Sequence, residues 1–293
     1  MASPDNSQFE PPLSGEASNG NPAPTIPTSN TAPDTSLPTE SAMLSTENPP
    51  WNGWDVLAVV GLAVVTIFVV QLGTLIGAHY LLYPKIKLND LAQKPVLVLI
   101  SGLVFDSAVV AYLLLLVEGK YHQPFWGAIR WNWPRRVWGT VALGGATYLI
   151  LAMLGSLLPM PKDTPFDKFF ENRWDAYLTA IMAMTLGPLM EELFFRGFFY
   201  PVIARRWGAI WGIFLAALPF ALLHMQQYGY SWGILLVIFG VGLVCGIVRA
   251  VTGSVAASFL VHAGYNGAQM LIAVSLTHGF TRMPKGFVAM IAS

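Results

Sequence analysis

The sequence contains few charged residues, and this scarcity limits the classes of protein to which it can belong. Charged residues make up 11% of the 293 residues and hydrophobic residues 54%, whereas soluble domains carry about 25% charged residues. A soluble globular protein is therefore excluded. The one cysteine, Cys245, can neither close an internal disulfide nor build a Cys-x-x-Cys metal site. The formal net charge is zero, and no basic patch suggests nucleic acid as a partner.

The first 50 residues differ from the rest of the chain. They hold ten of the 21 prolines, six acidic residues and no lysine or arginine. Without an apolar run, the segment cannot bury enough surface to offset the entropy lost on ordering. We predict that residues 1–50 are a disordered, acidic tail rich in Pro, Ser and Thr. We expect this tail to be a spacer that can be deleted without loss of stability or activity.

Residues 51–293 consist of long apolar runs separated by short charged loops. A bilayer core needs about 20 apolar residues per helix. We predict an all-α fold, a polytopic transmembrane helical bundle of about seven spans, with six to eight remaining open. The predicted spans are 55–79, 95–117, 137–158, 176–200, 208–224, 232–248 and 255–274, with a motif-bearing core at 176–274. Basic residues are balanced between the two sides, so the positive-inside rule leaves the orientation open.

Three charged residues interrupt the fourth predicted span: Glu191, Glu192 and Arg196. Each charge costs about 2.5–3.5 kcal/mol at the bilayer centre. Glu192 and Arg196 stand at i and i+4, so they can pair on one helix face. Glu191 points about 100° away from Glu192 and needs a polar environment of its own. Pro188 frees a carbonyl about one turn earlier, which in a membrane indicates backbone packed in protein or lining a wet cavity.

Two further helices carry polar side chains. His224 closes the fifth span, one turn after Phe220, and His262, Asn266 and Gln269 form one stripe on the seventh. Interhelical hydrogen bonding explains Asn and Gln well but histidine less well. Carboxylates and imidazoles together suit acid–base chemistry on water. The residues around the stripe are small enough to let another helix approach closely: Ala263, Gly264, Gly267 and Ala268.

These polar residues, in this order and on three separate hydrophobic helices, resemble the CPBP/Abi family. That family comprises intramembrane proteases related to the type II CAAX prenyl endopeptidases. The matching motifs are Glu191-Glu192-x-x-x-Arg196, Phe220-x-x-x-His224 and His262-x-x-x-Asn266.

The resemblance implies hydrolysis of a peptide bond inside the membrane. Glu191 and His224 would hold and activate the attacking water, and His262 with Asn266 would stabilise the oxyanion. The implied supporting residues are the pair Glu192 and Arg196 and the packing residue Phe220. Counting 1.5 Å per residue from the span ends places Glu191 and His262 roughly 10–15 Å deep, and His224 roughly 20–25 Å deep. Tilted helices, or a fifth span that begins later than predicted, would close this gap.

The same resemblance raises the question of a metal, since the family is often described as metalloproteases. The sequence contains no His-Glu-x-x-His, and a zinc site would need ligands from separate helices. We therefore favour water activated by glutamate with no required cofactor, and keep zinc or another divalent metal as the alternative. The expected partners are the lipid bilayer and a peptide or protein substrate, prenylated or not, and the expected location is the plasma membrane.

Two other functional classes remain open. One is a proton-coupled transporter in which Glu191, His224 and Asp106 form a proton relay. Transporters commonly contain internal repeats, and no second copy of the Glu-Glu motif occurs here. The other is a non-catalytic membrane scaffold, such as a bacteriocin-immunity protein, which the intact motifs argue against.

Overall fold

The computed structural model describes residues 47–284 and 286–287, and every regular element within these ranges is helical. Short turns of helix occupy the connections Leu88–Leu91, Phe125–Ala128 and Pro165–Phe170. The main helices are α1 (Gly53–Leu81), α2 (Pro95–Lys120, π-helical over Leu115–Lys120), α3 (Val137–Gly155), α4 (Arg173–Trp207), α5 (Ala209–Leu223), α6 (Trp232–Thr252) and α7 (Val255–Leu276).

Each predicted span coincides with one of these helices, and the all-α membrane fold is confirmed. Five of them, α1, α2, α3, α4 and α6, are long and apolar enough to cross a bilayer. Helix α5 has 15 residues and a length of about 22 Å, which is less than a bilayer core of about 30 Å. Helix α7 has 22 residues but carries the polar stripe. The number of crossings therefore stays a prediction.

Helices α3 and α7 pack backbone to backbone at two glycines. A Cβ atom built on Gly144 would overlap the carbonyl oxygen of Val261, and one built on Gly264 would overlap that of Val141. Close approach at Gly264 is what the small residues of α7 predicted. A Cβ atom built on Gly267, one turn further along, would meet no side chain or neighbouring helix within 4 Å. The contact that fixes α7, which carries His262, therefore depends on particular glycines.

We expect Gly264→Ala to destabilise the bundle and Gly267→Ala to leave it unchanged or slightly more stable. Overpacking a filled site costs about 1–3 kcal/mol, whereas alanine is the better helix former at an open position. Thermal unfolding of the purified variants in one detergent measures the difference. Equal melting temperatures for both variants would contradict the close α3–α7 contact.

The segment before α1 packs onto the helices. The Trp51 indole donates to the Phe198 carbonyl at 2.9 Å, and its ring is fully buried. Arg205 donates to the carbonyls of Pro49 and Trp51 at 2.7 and 3.1 Å. Glu47 is buried as well. The predicted tail boundary after residue 50 is therefore wrong, because residues 47–50 belong to the packed domain; residues 1–46 lie outside the described residues.

Candidate active site

A break in α4 positions the first motif. The α-helix Arg173–Met184 ends at Thr185, whose φ of −127° and ψ of −80° are not helical, and Leu186–Glu192 begins a new helix. Pro188 in that helix has no N–H to donate backward. The side-chain amide of Asn266 donates to the Ala183 carbonyl at 2.7 Å. The irregularity expected near Pro188 is thus present, and α7 supplies a hydrogen bond to it.

Glu192 is the centre of a buried hydrogen-bond network. Its carboxylate accepts from Arg196 Nη1 at 2.8 Å, from Ser258 Oγ at 2.6 Å and from His262 Nδ1 at 2.9 Å. Arg196 also donates to the Gly242 carbonyl at 2.9 Å. Glu192 and Arg196 are both fully buried, so the ion pair predicted from their i, i+4 spacing is present and joins α4 to α6 and α7.

Phe220 lies among the polar groups of the site. The Arg196 guanidinium stands 4.7 Å from the centre of its ring, close enough for a cation–π contact. The rings of His224 and His262 lie 5.1 and 5.6 Å away, centre to centre. Phe220 is buried and therefore packs between the two histidines, as its position one turn before His224 suggested.

The two histidines face the two oxygens of Glu191. His224 Nε2 lies 3.8 Å from Oε1, and His262 Nε2 lies 3.7 Å from Oε2. His224 Nδ1 contacts the Phe220 carbonyl at 2.8 Å, and since a carbonyl only accepts, Nδ1 must carry the proton. His262 Nδ1 contacts the Glu192 carboxylate in the same way. In their neutral forms both rings therefore present the Nε2 lone pair to Glu191.

The gap in depth that the residue count left between His224 and Glu191 is closed in the structure. The side chains of the two residues approach to 3.8 Å, although the residue count separated them by about 10 Å. That count assumed regular α-helices parallel to the membrane normal, whereas the counted part of α4 is π-helical over Leu193–Phe199. The four residues expected to be catalytic, Glu191, His224, His262 and Asn266, all line one cavity.

This cavity has a volume of about 320 Å³ and extends beyond the motif residues. Asp106 of α2 lines it, as do Thr179 of α4 and Tyr228 of the α5–α6 loop. The Thr179 hydroxyl is buried with no hydrogen-bond partner among the described residues. Sequence reasoning missed Tyr228, although its place four residues after His224 was a usable signal. The two rings are nearly parallel, with their centres 6.3 Å apart.

Burial, together with the Glu191 carboxylate, raises the pKa of the Tyr228 phenol above its ordinary value. The phenol therefore stays protonated near neutral pH and keeps an O–H that can donate a hydrogen bond. Tyr228 thus adds a hydrogen-bond donor to the polar wall of the cavity.

Two groups of side chains can be tested as metal sites. Glu192, Cys245 and His262 bring their ligand atoms within 4.8 Å of one another, but Glu192 already binds Arg196 and Ser258, and His262 Nδ1 donates to it. That group does not fit a metal. Glu191, His224 and His262 are the better candidates, because both Nε2 lone pairs face the Glu191 carboxylate, each toward a different oxygen, at 3.8 and 3.7 Å. Each ring is held through Nδ1 by a carbonyl or carboxylate, as is usual for metal-binding histidines.

The helical membrane bundle thus encloses a glutamate and two histidines around one cavity. Residues 173–268 match the family model described as Type II CAAX prenyl endopeptidase Rce1-like. All three motifs lie inside that range, and the match confirms the resemblance to the CPBP-type proteases. No curated protein and no solved structure matches the chain. The match and the apolar helices together support an integral membrane protein of protease type.

Proposed function

We propose that this protein is an intramembrane endopeptidase of the plasma membrane that hydrolyses a peptide bond in a membrane-embedded or prenylated substrate. One observation carries the proposal. Two imidazole Nε2 atoms face the two oxygens of Glu191 at 3.8 and 3.7 Å, inside a cavity of a hydrophobic bundle. Direct hydrogen bonds are shorter than these distances, and one bridging water fits between the groups.

The water activated here is the nucleophile of the proposed reaction. It is held between Glu191 and His224, about 2.6–3.2 Å from each, and gives its proton to Glu191 as it attacks the peptide carbonyl carbon. A C–O bond forms and the carbonyl oxygen becomes an oxyanion. When the C–N bond then breaks, the proton taken up by Glu191 passes to the leaving amine. The products are a carboxylic acid and an amine, so atoms and protons balance.

His262, Asn266 and Tyr228 offer donors to the oxyanion. His262 would donate through Nε2 as an imidazolium, with its Nδ1 held by the Glu192 carboxylate. The Asn266 amide has two N–H groups, of which one is used on Ala183. Tyr228 adds its phenol O–H from the loop after α5. Preorganised donors of this kind stabilise the tetrahedral intermediate.

The proposal requires no metal, because Glu191 supplies the base. Glu191, His224 and His262 are the residues that would hold a divalent ion such as zinc. Bound there, the ion would polarise the substrate carbonyl and favour ionisation of its water.

We expect proteolysis to survive 1,10-phenanthroline and purification under metal-free conditions. Glu191 can take the proton of a water molecule without a Lewis acid, so activity should not follow the metal content. The measurement is peptide cleavage in liposomes alongside elemental analysis of the same sample. A bound metal that is lost in step with activity, and whose return restores it, would contradict the metal-free mechanism.

The substrate class is tested with the wild-type protein in liposomes. The panel contains peptides that share one transmembrane segment and C-terminal peptides with and without a prenyl group, and products are identified by mass spectrometry. We expect cleavage of at least one set, and cleavage of prenylated C-terminal peptides alone would establish CAAX-type processing. Failure to cleave any of them would count against the endopeptidase.

A proton-coupled transporter is the second candidate, because Asp106, Glu191 and His224 line the same cavity. If the wild type in the same liposomes carries a proton flux that is absent in Asp106→Asn, the transporter hypothesis is favoured. Peptide cleavage without such a flux would exclude it.

A further inference from the structure

Arg249, close to the end of α6, connects the segment before α1 with the active-site helix. Its Nη1 and Nη2 donate to the two carboxylate oxygens of Glu47 at 2.7 and 3.1 Å. Its Nε donates to the main-chain carbonyl of Arg196 at 3.1 Å. Both side chains of the Glu47–Arg249 pair are almost fully buried, at 3% and 1% exposure. A bidentate pair that is removed from water is both strong and geometrically specific.

A proline leaves the Arg196 carbonyl without its usual helical N–H donor, so that this carbonyl can accept a hydrogen bond from Arg249. Leu193–Phe199 is π-helical, and in such a helix a carbonyl accepts from the N–H five residues later. Five residues after Arg196 stands Pro201, which has no N–H. The Tyr200 N–H bonds to the Phe195 carbonyl instead. Arg249 thus supplies the donor that the backbone cannot, directly after the Glu191-Glu192 motif.

From Arg196 a continuous series of contacts leads to the catalytic residues. The Arg196 side chain pairs with Glu192, and Glu192 accepts from His262 Nδ1. His262 Nε2 then faces Glu191 at 3.7 Å. A shift of the backbone at Arg196 therefore changes the support of the imidazole that faces the catalytic carboxylate.

We propose that residues 47–51 form a strap that positions the catalytic residues, with Glu47 and Arg249 as its positioning residues. The proposal rests on the proposed endopeptidase function. The strap lies outside the range 173–268 that matches the family model. Two further contacts hold the strap: the Arg205 bonds to Pro49 and Trp51 and the Trp51 bond to Phe198. No strap residue lines the cavity, so its effect is on geometry.

The test compares the full-length wild type with Glu47→Gln, Arg249→Gln, the double variant and the conservative Glu47→Asp. Matched controls are Glu171→Gln and Arg206→Gln, which remove the same groups at exposed positions. For each protein, kcat and KM are measured on one cleaved peptide in liposomes, at a temperature well below its melting point. The pH profile of kcat and amide exchange across 193–203 are measured on the same samples.

We expect kcat to fall about tenfold in Glu47→Gln and further in Arg249→Gln, within the 10–100-fold range seen when outer supporting residues of a site are removed. KM should stay within about twofold, since substrate contacts remain. The double variant should be close to Arg249→Gln, because both changes break the Glu47–Arg249 pair and Glu47→Gln adds only the loss of the longer contact to Arg130 at 3.5 Å. Glu47→Asp should recover part of kcat, and amides at 193–203 should exchange faster in Glu47→Gln than in Glu171→Gln.

Three results would overturn the strap: unchanged kcat in folded variants, a lower melting temperature with unchanged kcat, or additive losses in the double variant. If Arg249→Gln does not fold, Glu47→Gln decides alone, because it leaves the Arg249 bond to Arg196 in place. If the wild type cleaves no peptide, the endopeptidase fails by itself. Amide exchange at 193–203 then still decides whether the strap holds this segment.

Discussion

Replacing Glu191 with glutamine should lower kcat by about 10²–10⁴ while the bundle stays folded. The loss corresponds to removal of a general base. The Glu191 side chain is 32% exposed to the cavity, and it meets the two imidazoles at 3.7 and 3.8 Å. Glutamine keeps its size and shape but cannot take the proton of the attacking water. No buried partner loses a charge, so membrane insertion and the melting temperature should remain those of the wild type.

The measurement pairs single-turnover peptide cleavage in liposomes with thermal unfolding of the same preparation. Glu171→Gln, an exposed acid outside the cavity, serves as the control and should match the wild type in both. Cleavage by Glu191→Gln at the wild-type rate would remove Glu191 from the role of base. The scaffold reading makes a different prediction, namely that no peptide is cleaved by either protein.

Much of the site could be predicted because its residues are tied together by local spacing. The Glu192–Arg196 pair follows from the i, i+4 geometry of a helix, and the observed 2.8 Å contact agrees with it. Because a charged side chain is costly inside a membrane, Glu191 could be predicted as a functional residue before its neighbours in the fold were known. Likewise, the small residue Gly264 predicted the close approach of another helix, which in the structure is α3.

What could not be predicted are contacts between distant parts of the chain. Glu47 and Arg249 are separated by 202 positions, and composition placed Glu47 in a disordered tail. Counting residues along straight helices misjudged the depth of His224 relative to Glu191, because the approach of two side chains from separate helices depends on how those helices pack. The Asn266 stripe correctly indicated interhelical bonding, but the sequence did not identify the Ala183 carbonyl as its acceptor.

Replacing Glu192 with leucine should destabilise the bundle by about 3–5 kcal/mol, the usual cost of removing one partner from a buried ion pair. Arg196 is fully buried, and its charge would then lack a counter-ion. His262 would lose its acceptor at the same time, and Ser258 would keep only the Cys245 carbonyl. We expect little folded protein in the membrane fraction and a much lower melting temperature for what can be purified.

The double variant Glu192→Leu with Arg196→Met tests whether the unpaired charge causes this loss. Well-packed apolar residues often replace a buried pair at little cost or with a gain in stability, so the double variant should be more stable than Glu192→Leu alone. Its proteolysis should nevertheless remain low, because His262 Nδ1 still lacks the Glu192 carboxylate that orients the ring. The coupling energy follows from the stabilities of four proteins, namely the wild type, Glu192→Leu, Arg196→Met and the double variant, each measured by thermal unfolding. Additive losses would mean that Glu192 acts through its bonds to Ser258 and His262, and that the charge of Arg196 is neutralised elsewhere.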